Sequence, residues 1–185
     1  QLNNKGLDLS LSAQIIRNRD WFWSMTLTGG HVMDQIRKIS QGLKNDIDNP
    51  YDSSKPNILF VEGGSQYDIY AMRSAGIDPA TGKEIFIKKN GEYTFMYDKS
   101  ERVAVGNTNP ILQGSWMNTV RYKGFSISLA TSYTFGSDYY NSTLKNKVEN
   151  IDLDYNVDRR VFTDRWKQPG DHTRFLGIGT SSSSS

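Results

Sequence analysis

The stretch from Ile111 to Phe135 restricts the fold more than any other, because its residues alternate in character with a period of two. In its second half one side consists of Phe125, Ile127, Leu129, Thr131, Tyr133 and Phe135, and the other of Ser126, Ser128, Ala130, Ser132 and Thr134. That period predicts a strand with one apolar and one small polar face. Leu112 to Tyr122 alternates more loosely, and Lys123-Gly124 supplies the glycine that a two-residue hairpin turn needs. We therefore predict a long hairpin over residues 111–135.

A second hairpin is predicted over residues 7–33, with a turn at Asn18-Arg19-Asp20 between two alternating segments. Over the four predicted strands, 19 of 24 residues on the first face are apolar, against 5 of 21 on the second. The five exceptions on the second face are Ile16, Phe22, Val32, Met117 and Ala130. This difference predicts two-faced antiparallel strands.

A soluble sandwich and a membrane barrel give the same alternation, so other features must separate them. Each limb has the roughly 9–11 residues that a tilted strand needs to cross a bilayer. Aromatic residues gather at the strand ends, as in the girdles of membrane barrels, although aromatics also favour strands in general. The links are short at one end of the hairpins and very long at the other, which is typical of barrels with short periplasmic turns and long extracellular loops.

Composition excludes several classes of protein. The 185 residues carry a formal charge of +2, which argues against nucleic-acid binding, and the absence of cysteine excludes disulfides and thiolate metal sites. The sequence contains no run of about 18 apolar residues, so no transmembrane helix is predicted. The chain begins just before a strand and finishes in five serines, so we expect it to be a piece of a longer protein.

Two long connections are expected to be extracellular loops, at about 34–110 and 136–185. In the first, Ile36, Ile39, Leu43 and Ile47 have helical spacing and predict a short surface helix. Small strands are predicted there at Tyr67–Arg73, Glu84–Lys88 and Tyr93–Tyr97, the last two joined by a Lys89-Asn90-Gly91 turn. Helices are predicted at Tyr139–Glu149 and Asp158–Trp166 in the second.

An ordered set of motifs runs through nearly the whole chain. They are D-W-F-W-S at 20–24, E-G-G-S at 62–65, A-M-R-S-A-G-I-D-P-A-T-G-K-E-I-F at 71–86, Q-G-S-W-M-N-T-V-R-Y-K-G-F at 113–125, Y-T-F-G at 133–136, Y-N-S-T-L at 140–144, V-E-N at 148–150 and D-R-R-V-F-T-D-R-W-K-Q-P-G-D at 158–171. In this order they resemble the carboxy-terminal barrel region of the SusC/RagA family of TonB-linked outer-membrane transporters of Bacteroidota.

The resemblance implies a barrel of about 22 strands with a plug in its lumen. It implies import of glycans or peptides across the outer membrane, a SusD-like surface lipoprotein as a lid, and energy from the TonB complex acting on an amino-terminal part that is missing here. Four or five strands cannot close a barrel, and open edges in lipid leave backbone groups unpaired. We therefore expect residues 1–185 to form part of a transmembrane β-barrel domain that transports nothing alone.

The sequence provides no catalytic site. Neither histidine has metal or triad spacing, and no carboxylate pair is arranged for glycoside hydrolysis. Alternate oxygen ligands from Asp152 to Asp158 suggest a calcium loop, but valine replaces its glycine and threonine its final acid, so we predict no metal or cofactor. The basic residues Arg159, Arg160 and Arg165 are interpreted as a solvated helix face.

Exposed aromatics are the best candidates for ligand contact, because sugar rings stack on them. In the second connection these residues are Tyr139, Tyr140 and Trp166, and the alternative for each is packing against its own helix. The prediction is therefore an all-β, antiparallel segment of an outer-membrane importer in contact with lipid. The alternative is a soluble antiparallel β module that binds carbohydrate or protein partners.

Overall fold

The computed structural model describes residues 1–42, 56–151, 154 and 156–178. These residues divide into two compact units, which are described separately. The first comprises residues 1–42, 58–68 and 106–138. The second comprises residues 56–57 and 69–105 together with the described residues from 139 onward. No helix within the described ranges has the length and apolarity that a membrane-spanning helix requires.

The first unit is built on a four-stranded antiparallel sheet. Its strands are β1 Leu2–Arg17, β2 Trp21–Ile36, β9 Leu112–Tyr122 and β10 Phe125–Phe135. They are hydrogen-bonded in the order β1-β2-β9-β10. The second hairpin lies where the sequence places it, but the positive φ of its turn is at Lys123, at +50°, and not at Gly124, the glycine that the turn is predicted to need. The first is longer than predicted at both outer ends, because its strands extend beyond residues 7 and 33.

The strand register makes residues that are predicted to share a face direct neighbours across all four strands. Leu11 pairs with Leu27, Leu27 with Trp116, and Trp116 with Thr131. One departure is a bulge between Gln14 and Ile16, which puts Ile16 opposite Trp23. Ile16 therefore joins the apolar face, and its predicted place on the polar face is wrong. A bulge inserts one extra residue and so reverses the alternation of the residues that follow it.

A pair of glycines marks the close approach of β2 and β9. Gly29 lies opposite Gly114, which lies opposite Tyr133 on β10. The Tyr133 hydroxyl donates to the carbonyl of Thr28 over 2.6 Å and would be only 2.6 Å from a Cβ at Gly114. The tyrosine therefore covers backbone that these residues leave bare, a packing that rescues glycine in sheets.

The E-G-G-S motif continues the hydrogen bonding at the end of β2. Ile36 N–H donates to the carbonyl of Gly64, and Gly63 N–H donates to the carbonyl of Ile36, both over 2.8 Å. Asp34 accepts from the Ser65 hydroxyl at 2.6 Å and from Gln66 N–H at 2.8 Å. The motif therefore pairs with a strand end that would otherwise have unpaired backbone groups.

Among the described residues, six short strands lie between the two hairpins in sequence. They are β3 Asn57–Ile58, β4 Asp68–Ala71, β5 Arg73–Ile77, β6 Glu84–Ile87, β7 Tyr93–Thr94 and β8 Val103–Asn107, with a 3-10 turn at Lys99–Glu101. They form two sheets, with the strand orders β3-β4-β8 and β5-β6-β7. The sequence did not indicate β3, β5 or β8. The predicted helix from Ile36 is wrong at its start, because Ile36 ends β2, and Leu43 and Ile47 lie outside the described residues.

Two short helices follow the second hairpin. Helix α1 spans Ser142–Val148, and Asn141 caps it by accepting from Leu144 N–H over 2.9 Å. Helix α2 spans only Arg160–Thr163, within the longer helix predicted from Asp158 to Trp166. Arg165 lies beyond the end of α2 and forms a parallel β-bridge with Phe175. The core residues of the second unit include Phe86, Val148, Val161 and Leu176.

Candidate functional site

The apolar face of the sheet is formed by the residues that share a side with Leu11, Leu27, Trp116 and Thr131. Its large side chains are open: Ile127 is 72% exposed, Leu129 55% and Trp116 40%. No second layer of described residues covers them. Burying a face of this kind is the main favourable term in folding a soluble sheet, so its exposure indicates an apolar environment outside the chain.

Aromatic side chains lie at both ends of this face. At the short-turn end, the rings of Trp21 and Tyr122 have centroids 4.3 Å apart. At the far end, the rings of Tyr133 and Phe135 have centroids 5.6 Å apart. Eleven residues of β10 extend ~36 Å and, at a tilt of ~45°, cover ~25 Å of membrane normal. That height is the apolar band of outer-membrane barrels, with aromatic girdles at its edges.

The opposite side, the hydroxyl face, carries cross-strand pairs of serine and threonine. The oxygen–oxygen distances are 3.1 Å for Ser12–Thr26, 2.8 Å for Thr28–Ser115 and 3.1 Å for Thr119–Ser128. Near the short turns, the Arg121 guanidinium carbon lies 4.3 Å from the centre of the Phe22 ring. Short hydroxyl side chains that pair with each other suit a wet or protein-lined interior and offer no nucleophile with an adjacent base.

The three aromatics predicted to contact ligand have three different surroundings in the second unit. Tyr139 is 76% exposed. Tyr140 is half-buried, its hydroxyl has no partner among the described residues, and burial raises the pKa of that hydroxyl. Trp166 is also half-buried and donates from Nε1 to the carbonyl of Pro79 over 2.8 Å. Tyr139 therefore presents the open ring, whereas Trp166 is engaged within the fold.

Arg165 is 5% exposed, so its predicted place on a solvated helix face is wrong. Its guanidinium donates to the carbonyls of Leu176 at 2.8 Å, Gly177 at 2.9 Å and Val148 at 2.9 Å, and to that of Glu149 at 3.3 Å. The last two belong to the end of α1, where helix carbonyls lack partners within the helix. Arg165 therefore fastens α1 to the segment 176–177.

Trp166 belongs to a second structural lock. Gly82 has φ +70°, and a Cβ there would overlap the indole ring. Gly170 N–H also donates to the Pro79 carbonyl, at 2.9 Å, and Gly177 N–H donates to that of Gly82 at 3.2 Å. The P-A-T-G turn and the R-W-K-Q-P-G segment therefore hold each other. Sequence reasoning missed this role, although both segments stand among the motifs of the family resemblance.

No group of three or more potential metal ligands exists among the described residues. Of the suggested calcium loop, Asp152, Leu153 and Tyr155 lie outside the described residues. Asp158 instead accepts from Arg160, at 2.7 Å from Nη2 and 2.9 Å from the backbone N–H. These bonds hold the pKa of the Asp158 carboxyl well below its usual range.

No family model matches the chain. In sequence it is similar to TonB-dependent receptor P39 of Formosa agariphila, at 24% identity over 97% of this chain and 21% of the receptor. TonB-dependent receptor P3 of the same organism is 23% identical over 78% of the chain and 16% of the receptor. The chain thus spans about a fifth or less of the length of these relatives. Both relatives are named as receptors, and neither is named as an enzyme.

Solved structures give the same result for the fold. The RagAB peptide importer in its closed-closed state matches 97% of this chain and 20% of the solved chain, with TM-score 0.75 and 23% identity. In its open-open state it matches 96% and 19%, with TM-score 0.74 and 23% identity. The predicted resemblance is therefore confirmed: this chain is similar in sequence to TonB-dependent receptors, and its antiparallel strands have the fold of a segment of the chain solved in the RagAB peptide importer.

Proposed function

We propose that this chain forms part of the wall of a TonB-dependent nutrient importer in the outer membrane of a Gram-negative bacterium. The observation that carries the proposal is the exposed apolar face, which runs across four strands between two groups of aromatic side chains. Hydrocarbon is the environment in which such a face is stable, and the hydroxyl face then lines the lumen. The similarity to TonB-dependent receptors supports the same function.

The cargo is an oligosaccharide or a peptide, and a SusD-like lipoprotein acts as the lid. The solved structures of similar fold carry the name peptide importer, which supports the importer class. TonB acts through a part of the protein outside these 185 residues. Within the second unit, Tyr139 is the aromatic best placed to contact cargo, because its ring is open. Tyr140 and Trp166 present less of their rings to cargo, since both are half-buried.

The alternative of a soluble β module needs a protein layer over Leu129 and its neighbours, and the described residues provide none. A pair of substitutions in the full-length protein tests the difference. Leu129 and Ser128 are adjacent on β10, so they lie at nearly the same depth but on opposite faces. Leu129→Arg puts a charge in hydrocarbon, which costs ~2–4 kcal/mol near the bilayer midplane, whereas Ser128→Arg puts it in the lumen at a smaller cost.

The measurement is reversible unfolding in urea of the two variants and wild type, each folded into phosphatidylcholine vesicles. We expect a lower free energy of unfolding for Leu129→Arg and a value near wild type for Ser128→Arg. Outer-membrane quantity and uptake of labelled nutrient provide a second readout in cells. Equal losses in both variants, or a larger loss for Ser128→Arg, would contradict the membrane assignment.

A further inference from the structure

The short-turn end of the four-stranded sheet is basic. The turn between β1 and β2 and the turn between β9 and β10, with their flanking residues, carry four cations and one acid. These are Arg17, Arg19, Arg121 and Lys123, with Asp20, and all five residues are exposed. The opposite end of the same unit has both signs, for example Lys5 and Arg37 with Asp8 and Asp34. The excess of positive charge is therefore confined to one end.

Hydrogen bonds hold the two turns side by side. Lys123 has φ +50° and donates from its backbone N–H to the carbonyl of Asp20 over 2.8 Å. Within the other turn, the Asn18 side-chain carbonyl accepts from Trp21 N–H at 2.7 Å and from Asp20 N–H at 3.1 Å. The backbone that carries Arg19 is consequently fixed beside the backbone that carries Lys123. Arg19 and Lys123 therefore lie in adjacent turns that are joined by a backbone hydrogen bond.

Lys123 lies on the side of the sheet assigned to lipid. Its ammonium nitrogen is 5.2 Å from the centre of the Tyr122 ring, and Tyr122 packs against Trp21. Phe125, the first residue of β10 on the same face, is 79% exposed. Arg121 by contrast stacks on Phe22 on the hydroxyl face, so it is directed away from this surface. A cation above an aromatic girdle is at the depth of lipid head groups.

We propose that Lys123 and Arg19 bind the phosphate of an anionic phospholipid head group, with the acyl chains against Trp21, Tyr122 and Phe125. The proposal rests on the proposed function, because it requires the apolar face to lie in a membrane. Short turns of outer-membrane barrels face the periplasm, so the lipid belongs to the periplasmic leaflet. Charge complementarity selects an anionic lipid over a zwitterionic one, and the neighbouring aromatics select a lipid over a free phosphate.

The test uses the full-length transporter and phosphatidylglycerol as the probe. Retention of phosphatidylglycerol is measured by native mass spectrometry after exchange into nanodiscs of phosphatidylcholine with and without it. The test variant is the double substitution Arg19→Gln with Lys123→Gln. The matched control is Lys83→Gln with Arg174→Gln, which removes two exposed cations from the second unit. A cation near an anionic membrane surface strengthens binding about fivefold, so we expect the test variant to bind at least fivefold more weakly.

Retention by the control pair should match wild type, and salt should weaken binding by wild type more than by the test variant. If the test variant retains phosphatidylglycerol as well as wild type, the proposal is overturned, and an acidic protein surface then becomes the better partner for this end. If Leu129→Arg lowers the free energy of unfolding more than Ser128→Arg does, while lipid retention by the test variant is unchanged, this proposal alone is refuted. Equal effects of those two arginines would refute the proposed function itself.

Discussion

Gly82→Ala should damage the second unit more than a glycine substitution with equal backbone strain. Gly82 has φ +70°, and a Cβ there would overlap Cε3 and Cδ2 of the Trp166 ring. The ring cannot simply move aside, because its Nε1 donates to the Pro79 carbonyl at 2.8 Å. The left-handed conformation costs an alanine roughly 1–2 kcal/mol, and overpacking adds about 1–3 kcal/mol. We expect a total loss of ~2–5 kcal/mol.

Gly91→Ala is the matched control. Gly91 has φ +90°, and a Cβ there would meet nothing within 4 Å, so only the backbone cost remains. The difference between the two variants isolates the overlap with Trp166. It should be ~1–3 kcal/mol, which corresponds to a factor of ~5–150 in the constant for local opening.

Hydrogen exchange of the full-length protein is the appropriate assay, because it reports local opening without unfolding the barrel. The amides of Gly170 and Gly177 are the reporters, since they donate to the carbonyls of Pro79 and Gly82. We expect both to exchange much faster in Gly82→Ala than in Gly91→Ala. Equal acceleration in the two variants would show that the Trp166 contact carries no energy, and the lock would have to be abandoned.

Three further predictions concern single groups. Tyr133→Phe removes the hydrogen bond to the Thr28 carbonyl and should lower the free energy of urea unfolding in vesicles by about 0.5–1.5 kcal/mol. An unchanged free energy would show that this hydrogen bond does not stabilise the sheet. Arg165→Lys keeps the positive charge but loses the planar guanidinium that donates to four carbonyls. The segment 164–177 should then be held less firmly, and trypsin should cleave the backbone within it faster than in wild type. Asp158 has a pKa below its unfolded value of ~3.9, so its stabilisation of α2 is present above about pH 4 and is lost as pH falls through the lower, folded pKa. Exchange of the α2 amides should therefore show an acid-dependent opening that Asp158→Asn abolishes, and an unchanged profile would contradict it.

The strands could be predicted because each position in a two-faced sheet follows a rule that acts locally. Alternation alone predicts that Leu129 and Ser128 lie on opposite faces, and the strand register confirms this prediction. The bulge at Gln14 to Ile16 was not predicted, because a single inserted residue changes the pattern only by placing one apolar residue out of phase. Ile16, an exception on the polar face, is that residue, and one exception does not distinguish a bulge from an apolar residue on the polar face.

The second unit was less predictable because its key contacts join distant segments. Arg165 resembles a surface arginine in sequence, yet it satisfies carbonyls at residues 148–149 and 176–177. The exposed ring that the sequence predicts at Trp166 instead contacts a turn 87 positions earlier in the chain. No local pattern encodes such a pairing. Only the ordered family motifs indicated that these residues matter, and they did not indicate how.

The edges of the sheet determine what the four strands can do. Within the described residues, β1 and β10 pair on one side only, so each presents a row of unpaired N–H and C=O groups. In hydrocarbon each such group costs several kcal/mol, which excludes an open four-stranded sheet as a stable membrane structure. Under the proposed function the apolar face lies against lipid, and a sheet in lipid requires paired edges. Both conditions are met when further strands pair with β1 and β10, so the wall assigned here is functional only as part of a closed barrel.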